Sequence, residues 1–349
     1  MVSIPVVDLS RRTRRHAAAF FEVVERVTTS GHVLLGPELA GLEAELAVWS
    51  AHRHIIGVAS GATAIQLALA ALHIGPNDEV LVPAFTAVPT AAAVCAVGAT
   101  PVFVDVDRAT AAVDPTAWDD ACTERTKAII VVHLYGRPAD VPVTDLPVIE
   151  DAAQAHGALD PAGRRSAAVA YSFYPTKNLG GIGDGGALAT DNDEIAAMVR
   201  RLRVHGMTEQ YVHVERSQNF RMSEIEAGWL RLGLTHLGVD NARRRSIAAA
   251  YRAAAPLLDW QADHVRHVYH LCVFRATDRP ATRDRLAALD VSTAIHYPLA
   301  LTGQPAYRAL TRQSCPEAEG WAAQCVSVPC FPEMTDVEVE IVANALRTL

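Results

Sequence analysis

Between residues 55 and 190, short apolar runs alternate with alanine-rich stretches of helical period, and this alternation limits the possible folds more than any other feature. The runs at 129–135 (IIVVHLY) and 147–151 (PVIED) place apolar side chains at successive positions, so both faces of their strands must be covered. Helices on both sides of a mostly parallel central sheet meet that need, which makes the fold class α/β. Strands are expected at 55–58, 79–82, 101–106, 128–134, 148–150, 169–173 and 186–190, with helices at 63–73 and 89–97. Ligands of such sheets gather beyond the carboxyl ends of the strands.

After Asp191 the pattern changes. A helix is expected at 193–204, a polar loop at 205–219 and one long helix at 223–251. Strands follow near 268–274 and 292–296, then a helix from 336. The chain thus reads as a large α/β domain over 1–235 and a smaller α+β domain over 236–349. The basic runs Arg11–Arg12–Thr13–Arg14–Arg15 and Arg243–Arg244–Arg245 read as solvated helix faces.

Composition removes several functional classes. A length of 349 residues suits about two domains, and 50% hydrophobic with 20% charged residues excludes a disordered or coiled-coil chain. A net charge of −8 argues against nucleic acid as a partner. No apolar run approaches the ~18–20 residues that span a bilayer, so no membrane partner is expected. The basic run follows the first apolar stretch, the wrong order for a signal peptide. Six cysteines without a C-x-x-C pair suit reduced thiols in the cytoplasm. No metal is expected: His264, His267 and His270 have a spacing that does not converge on one point of a helix or strand.

Four features fall at or just beyond expected strand ends. Ser60–Gly61–Ala62–Thr63 joins a strand to a helix, where small residues and unpaired N–H groups suit an anion; Ser60 as an ordinary helix cap is the plainer reading. Asp151 closes an apolar run, and a buried acid needs a partner such as a protonated ring nitrogen. Gln154, three residues on, could bond a phenolic oxygen, whereas a helix-capping role for Asp151 needs neither. Lys177, within SFYPTKNLG at 172–180, follows a buried strand. Desolvation there would lower its pKa and make it a nucleophile toward an aldehyde, although most loop lysines are simply solvated. GIGDGG at 181–186 matches G-x-G-x-x-G but leads into a strand rather than a helix, so it reads as a tight turn and not as a dinucleotide fingerprint.

Together these segments resemble the DegT/DnrJ/EryC1/StrS sugar aminotransferase family, a group of fold-type I pyridoxal-phosphate enzymes. The likeness spans nearly the whole chain, through LGPE at 35–38, VASGATA at 58–64, DAAQAHG at 151–157, SFYPTKNLG at 172–180, NFRM at 219–222, HYP at 296–298 and QPAY at 304–307. It implies pyridoxal 5'-phosphate as cofactor, held covalently by Lys177, which would also move the proton. Asp151 would pair with the pyridine nitrogen and Gln154 would bond the ring hydroxyl. The Ala62 and Thr63 backbone and the Ser172 hydroxyl would hold the phosphate. Asn219 would reach that phosphate from the neighbouring subunit of a homodimer with shared sites. Arg221 suits a donor carboxylate, and His156, His296 and Tyr297 are further candidate substrate contacts.

Family members with a histidine at the lysine position act as dehydratases, and Lys177 opposes that chemistry. The stretch 172–186 is similar to the members that aminate C3 of nucleotide-linked 3-keto-6-deoxyhexoses, which implies a dTDP-linked keto sugar as acceptor and L-glutamate as donor. Two departures bear on the acceptor. Ala87 stands where relatives stack a Phe or Trp on the cofactor, and Thr302–Gly303 stands where they often carry a histidine. The segments 142–147 and 160–169 are also short. A keto-cyclitol or other natural-product ketone is the alternative acceptor. A nucleotide-binding oxidoreductase built on the 181–186 turn and a non-catalytic scaffold are the rival classes; intact Lys177, Asp151 and Gln154 oppose the scaffold.

Overall fold

The computed structural model describes residues 3–161 and 165–349. Helix α1 (Leu9–Ser30) begins where the Asp8 carboxylate accepts the Ser10 N–H at 3.0 Å and ends at Gly31, whose φ of 72° is left-handed. Helix α2 (Pro37–Ser50) follows, with proline in its first turn. The α/β alternation then runs β1 (His54–Val58), α3 (Gly61–Ala71), β2 (Glu79–Pro83), α4 (Val88–Ala96), β3 (Thr100–Val104), α5 (Ala117–Ala121), β4 (Thr126–Val132), β5 (Val148–Asp151), β6 (Ala168–Ser172) and β7 (Gly186–Thr190). Beyond it come α6 (Asp193–Leu202), the hairpin β8 (Met207–Glu209) and β9 (Val212–His213), α7 (Glu224–Leu234) and α8 (Leu237–Ala254). The chain closes with β10 (Asp259–Trp260), β11 (Cys272–Arg275), α9 (Arg279–Ala287), α10 (Pro316–Gln324), β12 (Cys325–Val328) and α11 (Asp336–Leu346).

The main sheet has seven strands in the order β1-β7-β6-β5-β4-β2-β3. The pairs from β3 through β6 are parallel, and β7 runs antiparallel to both β6 and β1. Every residue of β2, β5, β6 and β7 is buried, as strands covered on both faces require. Gly186 lies opposite both Val58 and Ser172, and Asp151 lies opposite Ala170. The carboxyl ends of β1, β5 and β6 therefore share one edge of the sheet, and the turns that follow them face one another. A second sheet, β10-β11-β12, has its own apolar core, in which Ile4, Tyr251, Phe274 and Val342 meet.

Several expectations are corrected. The helix expected over 223–251 is two helices that break at Thr235–His236. Its first half packs on α1 and α2 and its second on α11, and one straight rod could not reach both. The stretch 205–219 contains the β8–β9 hairpin, and 292–296 makes only an isolated bridge, Ala294 to Ser327. The arginine runs are solvated only in part: Arg14, Arg15 and Arg245 are exposed, whereas Arg12 and Arg244 are buried. Arg11 pairs with Glu338 and Arg15 with Asp240, each at 2.6 Å, while buried Arg12 donates to the Pro175 carbonyl at 2.9 Å. Arg244 is only 2% exposed. Within the short segment 160–169, residues 162–164 lie outside the described residues. Next to the short segment 142–147, a cavity of about 420 Å³ opens beside the buried His133–Glu150 pair.

Candidate active site

A cavity of about 530 Å³ lies at the shared carboxyl edge, walled by the Ser60 turn, the 86–90 segment, Asp151, Gln154, Lys177 and Tyr297. Ser60 caps α3 by accepting the Thr63 N–H at 3.1 Å, which leaves Gly61 and Ala62 as the first-turn residues lining the cavity. The crossing there is too close for side chains: a Cβ on Gly61 would stand 2.6 Å from that of Ser172. Bare N–H groups, the positive end of α3 and the Ser172 hydroxyl thus meet in a cradle of the kind that suits a phosphate.

Across the cavity, the Asp151 carboxylate is 7% exposed. Its Oδ2 accepts the Thr90 hydroxyl at 2.8 Å and its Oδ1 the Ala153 N–H at 3.1 Å. Gln154 is held at both ends. Its Oε1 accepts the Tyr135 N–H at 2.7 Å, and its Nε2 donates to the Tyr297 hydroxyl at 3.1 Å. Burial raises the Tyr297 phenol to about 12, so it stays protonated at neutral pH. Lys177 keeps partial solvent contact through the cavities it lines, yet the surrounding protein lowers its amine to about 8; the Asp151 charge opposes that shift. A second, smaller chamber of about 320 Å³ lies beside it, with Lys177, Tyr174 and Tyr297 in the walls of both.

The structure brings Ala62, Asp151, Gln154, Ser172, Lys177 and Tyr297 together around one cavity. Thr63 does not line it, and its N–H is already taken by Ser60. His156 is fully buried and lines neither cavity. Its ring packs against Tyr171 and Phe173, and burial lowers it to about 3. His296 borders the smaller chamber and bonds the Ser327 hydroxyl at 2.9 Å. Asn219 is exposed, and its side chain accepts from the Arg221 guanidinium at 2.9 Å; neither residue lines either cavity. No group of three metal-ligating side chains occurs among the described residues. No helix among them is long and apolar enough to cross a membrane.

Sequence reasoning missed Thr90 and Glu226. Thr90 sits four residues after Thr86 on the same cavity wall, a spacing that offered a signal. Glu226 is buried under the glycine turn and accepts the Gly183 N–H at 3.1 Å. A Gln or any other polar residue would have looked the same in the helical pattern, so that role had no signal.

The DegT/DnrJ/EryC1/StrS aminotransferase family model matches residues 15–347. The chain is 40% identical to the dTDP-3-amino-3,4,6-trideoxy-alpha-D-glucose transaminase of Streptomyces venezuelae, across 99% of this chain and 95% of that protein. The crystal structure of S. venezuelae DesV superposes with a TM-score of 0.94 at 38% identity, covering 100% of this chain and 98% of the other. NtdA from Bacillus subtilis, solved with bound cofactor PMP, gives 0.92 at 28% identity, covering 99% and 85%. With an anion cradle, a desolvated lysine and a buried acid around one cavity, and with this breadth of likeness, the chain belongs to the DegT/DnrJ/EryC1/StrS aminotransferase family.

Proposed function

We propose that this aminotransferase moves an amino group from L-glutamate to C3 of a dTDP-linked 3-keto-6-deoxyhexose, within natural-product sugar biosynthesis. The observation that carries the reading is the placement of Lys177, its amine lowered to about 8, in the wall of a cavity that also holds the Ser60 cradle and Asp151. The C3 position and the dTDP carrier are supported by the name of the Streptomyces transaminase, which is similar over nearly its whole length.

The cofactor is pyridoxal 5'-phosphate, which supplies an electron sink for the carbanion left when a proton leaves the amino-bearing carbon. The residues present fit it. Gly61, Ala62 and Ser172 would hold the phosphate, and Asp151 would face the ring nitrogen and keep it protonated. Thr90 and Ala153 fix the carboxylate that does so. Gln154, clamped by Tyr135 and Tyr297, has one amide hydrogen left for the ring hydroxyl. The Lys177 Nζ would join the cofactor and, once released, carry the proton between carbons; positioned proton transfer is worth roughly 10²–10⁴ in rate.

The partners are small molecules and a second copy of this chain, whose Asn219 would complete the phosphate site. Leu34, Leu35 and Ile182 are exposed apolar side chains that such a copy would cover. We draw the boundary between a cofactor domain and a smaller domain at 235/236, and place the enzyme in the cytoplasm, where its free thiols stay reduced. Ala87 in the cavity wall favours one second reading, a keto-cyclitol acceptor, because its small side chain leaves room above the ring position. Incubating holoenzyme with glutamate and a panel of keto-sugar nucleotides and keto-cyclitols decides. A dTDP-3-keto hexose should be aminated; amination of cyclitols alone would replace the acceptor.

A further inference from the structure

Arg244 is a buried cation with no carboxylate in direct contact, although Glu333 and Asp240 lie near enough to act on its charge. It is 2% exposed on α8, and its Nη1 donates only to backbone carbonyls, those of Tyr269 at 3.3 Å, His270 at 3.4 Å, and Cys330. Its Nε has no hydrogen-bond partner, and no carboxylate lies within ion-pair distance among the described residues. A buried guanidinium with an unpartnered N–H gains from an anion or a polar ligand that completes it. Arg244 lines the smaller chamber beside Lys177. So does His270, 7% exposed, whose Nδ1 is also without a partner. No acidic side chain lines that chamber.

We propose that this chamber seats a carboxylate of the amino donor, with Arg244 supplying the charge and His270 a hydrogen bond. The proposal rests on the aminotransferase reading and adds to it the place where the donor binds. The larger cavity is a poor alternative, because the cofactor would fill it against Asp151 and Lys177, and the remaining charged wall residue, Asp184, would repel a dicarboxylic acid. Arg221, the sequence candidate for this task, is engaged with Asn219 outside both cavities. Lys177 borders both spaces, so a donor held by its carboxylate in the chamber can present its amine at the lysine. At about 320 Å³ the chamber suits a small dicarboxylic acid. Burial lowers both His270 and His296, so neither histidine adds a positive charge at physiological pH; once Lys177 is joined to the cofactor, the arginine provides the fixed charge.

Glutarate, which has the carbon skeleton of glutamate without its amine, is the probe. Calorimetric titration of the holoenzyme should show binding, weakened at least tenfold in Arg244→Met and in His270→Phe. The cofactor absorbance of each variant reports that its fold is intact, and His270→Phe keeps the test open should Arg244→Met fail to fold. The donor KM should rise with the loss of glutarate affinity while the acceptor KM holds. Unchanged glutarate affinity in a folded variant, in an enzyme that transaminates from glutamate, sinks the chamber assignment alone. A wild-type enzyme that accepts no amino acid donor sinks the aminotransferase reading and this proposal together.

Discussion

Lys177 owes its reactivity to its surroundings. With the amine lowered to about 8 by burial, the free-base fraction rises about tenfold between pH 7 and 9. The rate at which apoprotein captures the cofactor, followed by absorbance, should rise by the same factor; a flat profile would mean that another step limits capture. Lys177→Ala should abolish transfer, losing at least ~10³ in turnover, and a variant that still transfers at a comparable rate would remove the lysine from the mechanism. Thr90→Val deletes one of the two hydrogen bonds to Asp151. A bond to a charged group is worth about 1.5–3 kcal/mol, so kcat should fall on the order of tenfold with the acid still present. Glu226 bears on stability. Its carboxyl is raised to about 7, chiefly by burial. An acid whose pKa is raised in the folded state contributes most below its unfolded value near 4.5, and that contribution is lost as pH climbs through about 7. Glu226→Gln should remove a loss on the order of 2 kcal/mol between pH 5 and 8, read from urea melts across that range.

At the scale of elements, α1 acts as a strap. Arg11 reaches the capping residue Glu338 of α11, Arg15 reaches Asp240 of α8, and Arg12 holds the Pro175 carbonyl two residues before the lysine. Arg12→Ala should loosen 174–180, seen as faster amide hydrogen exchange there with the sheet unaffected. None of this was legible beforehand, because charge patterning treats an arginine run as solvated and cannot see carbonyls brought in from distant segments. Strand β12 was missed for a related reason: Cys325–Val328 is too short to show a period and is defined by its pairing with β11. The strands of the main sheet were readable, since burial on both faces forces an unbroken apolar run. The lysine, the acid and the Ser60 turn were readable because each ends such a run. Thr90 left only the weak signal of its spacing from Thr86, and Arg244 left none, because a helical position in an arginine run reads as solvated until the fold buries it.

For the molecule as a whole, the walls of the cavity come from the turn after β1, the 86–90 segment, the ends of β5 and β6 and Tyr297, so a ligand bound there ties distant parts of the chain together. Cofactor at a hundred times its Kd should add about 2.7 kcal/mol of stability. Apoprotein should therefore melt several degrees below the loaded enzyme in a calorimetric scan; coincident transitions would show that the ligand holds fewer parts than the cavity implies. The seven-stranded order also has a temporal side. His54 of β1 pairs with Thr190 of β7, and Tyr297 closes the cavity from far downstream. During translation the first strand of the sheet must wait for its neighbour to leave the ribosome, and the pocket gains its last wall only when the segment around Tyr297 has been made.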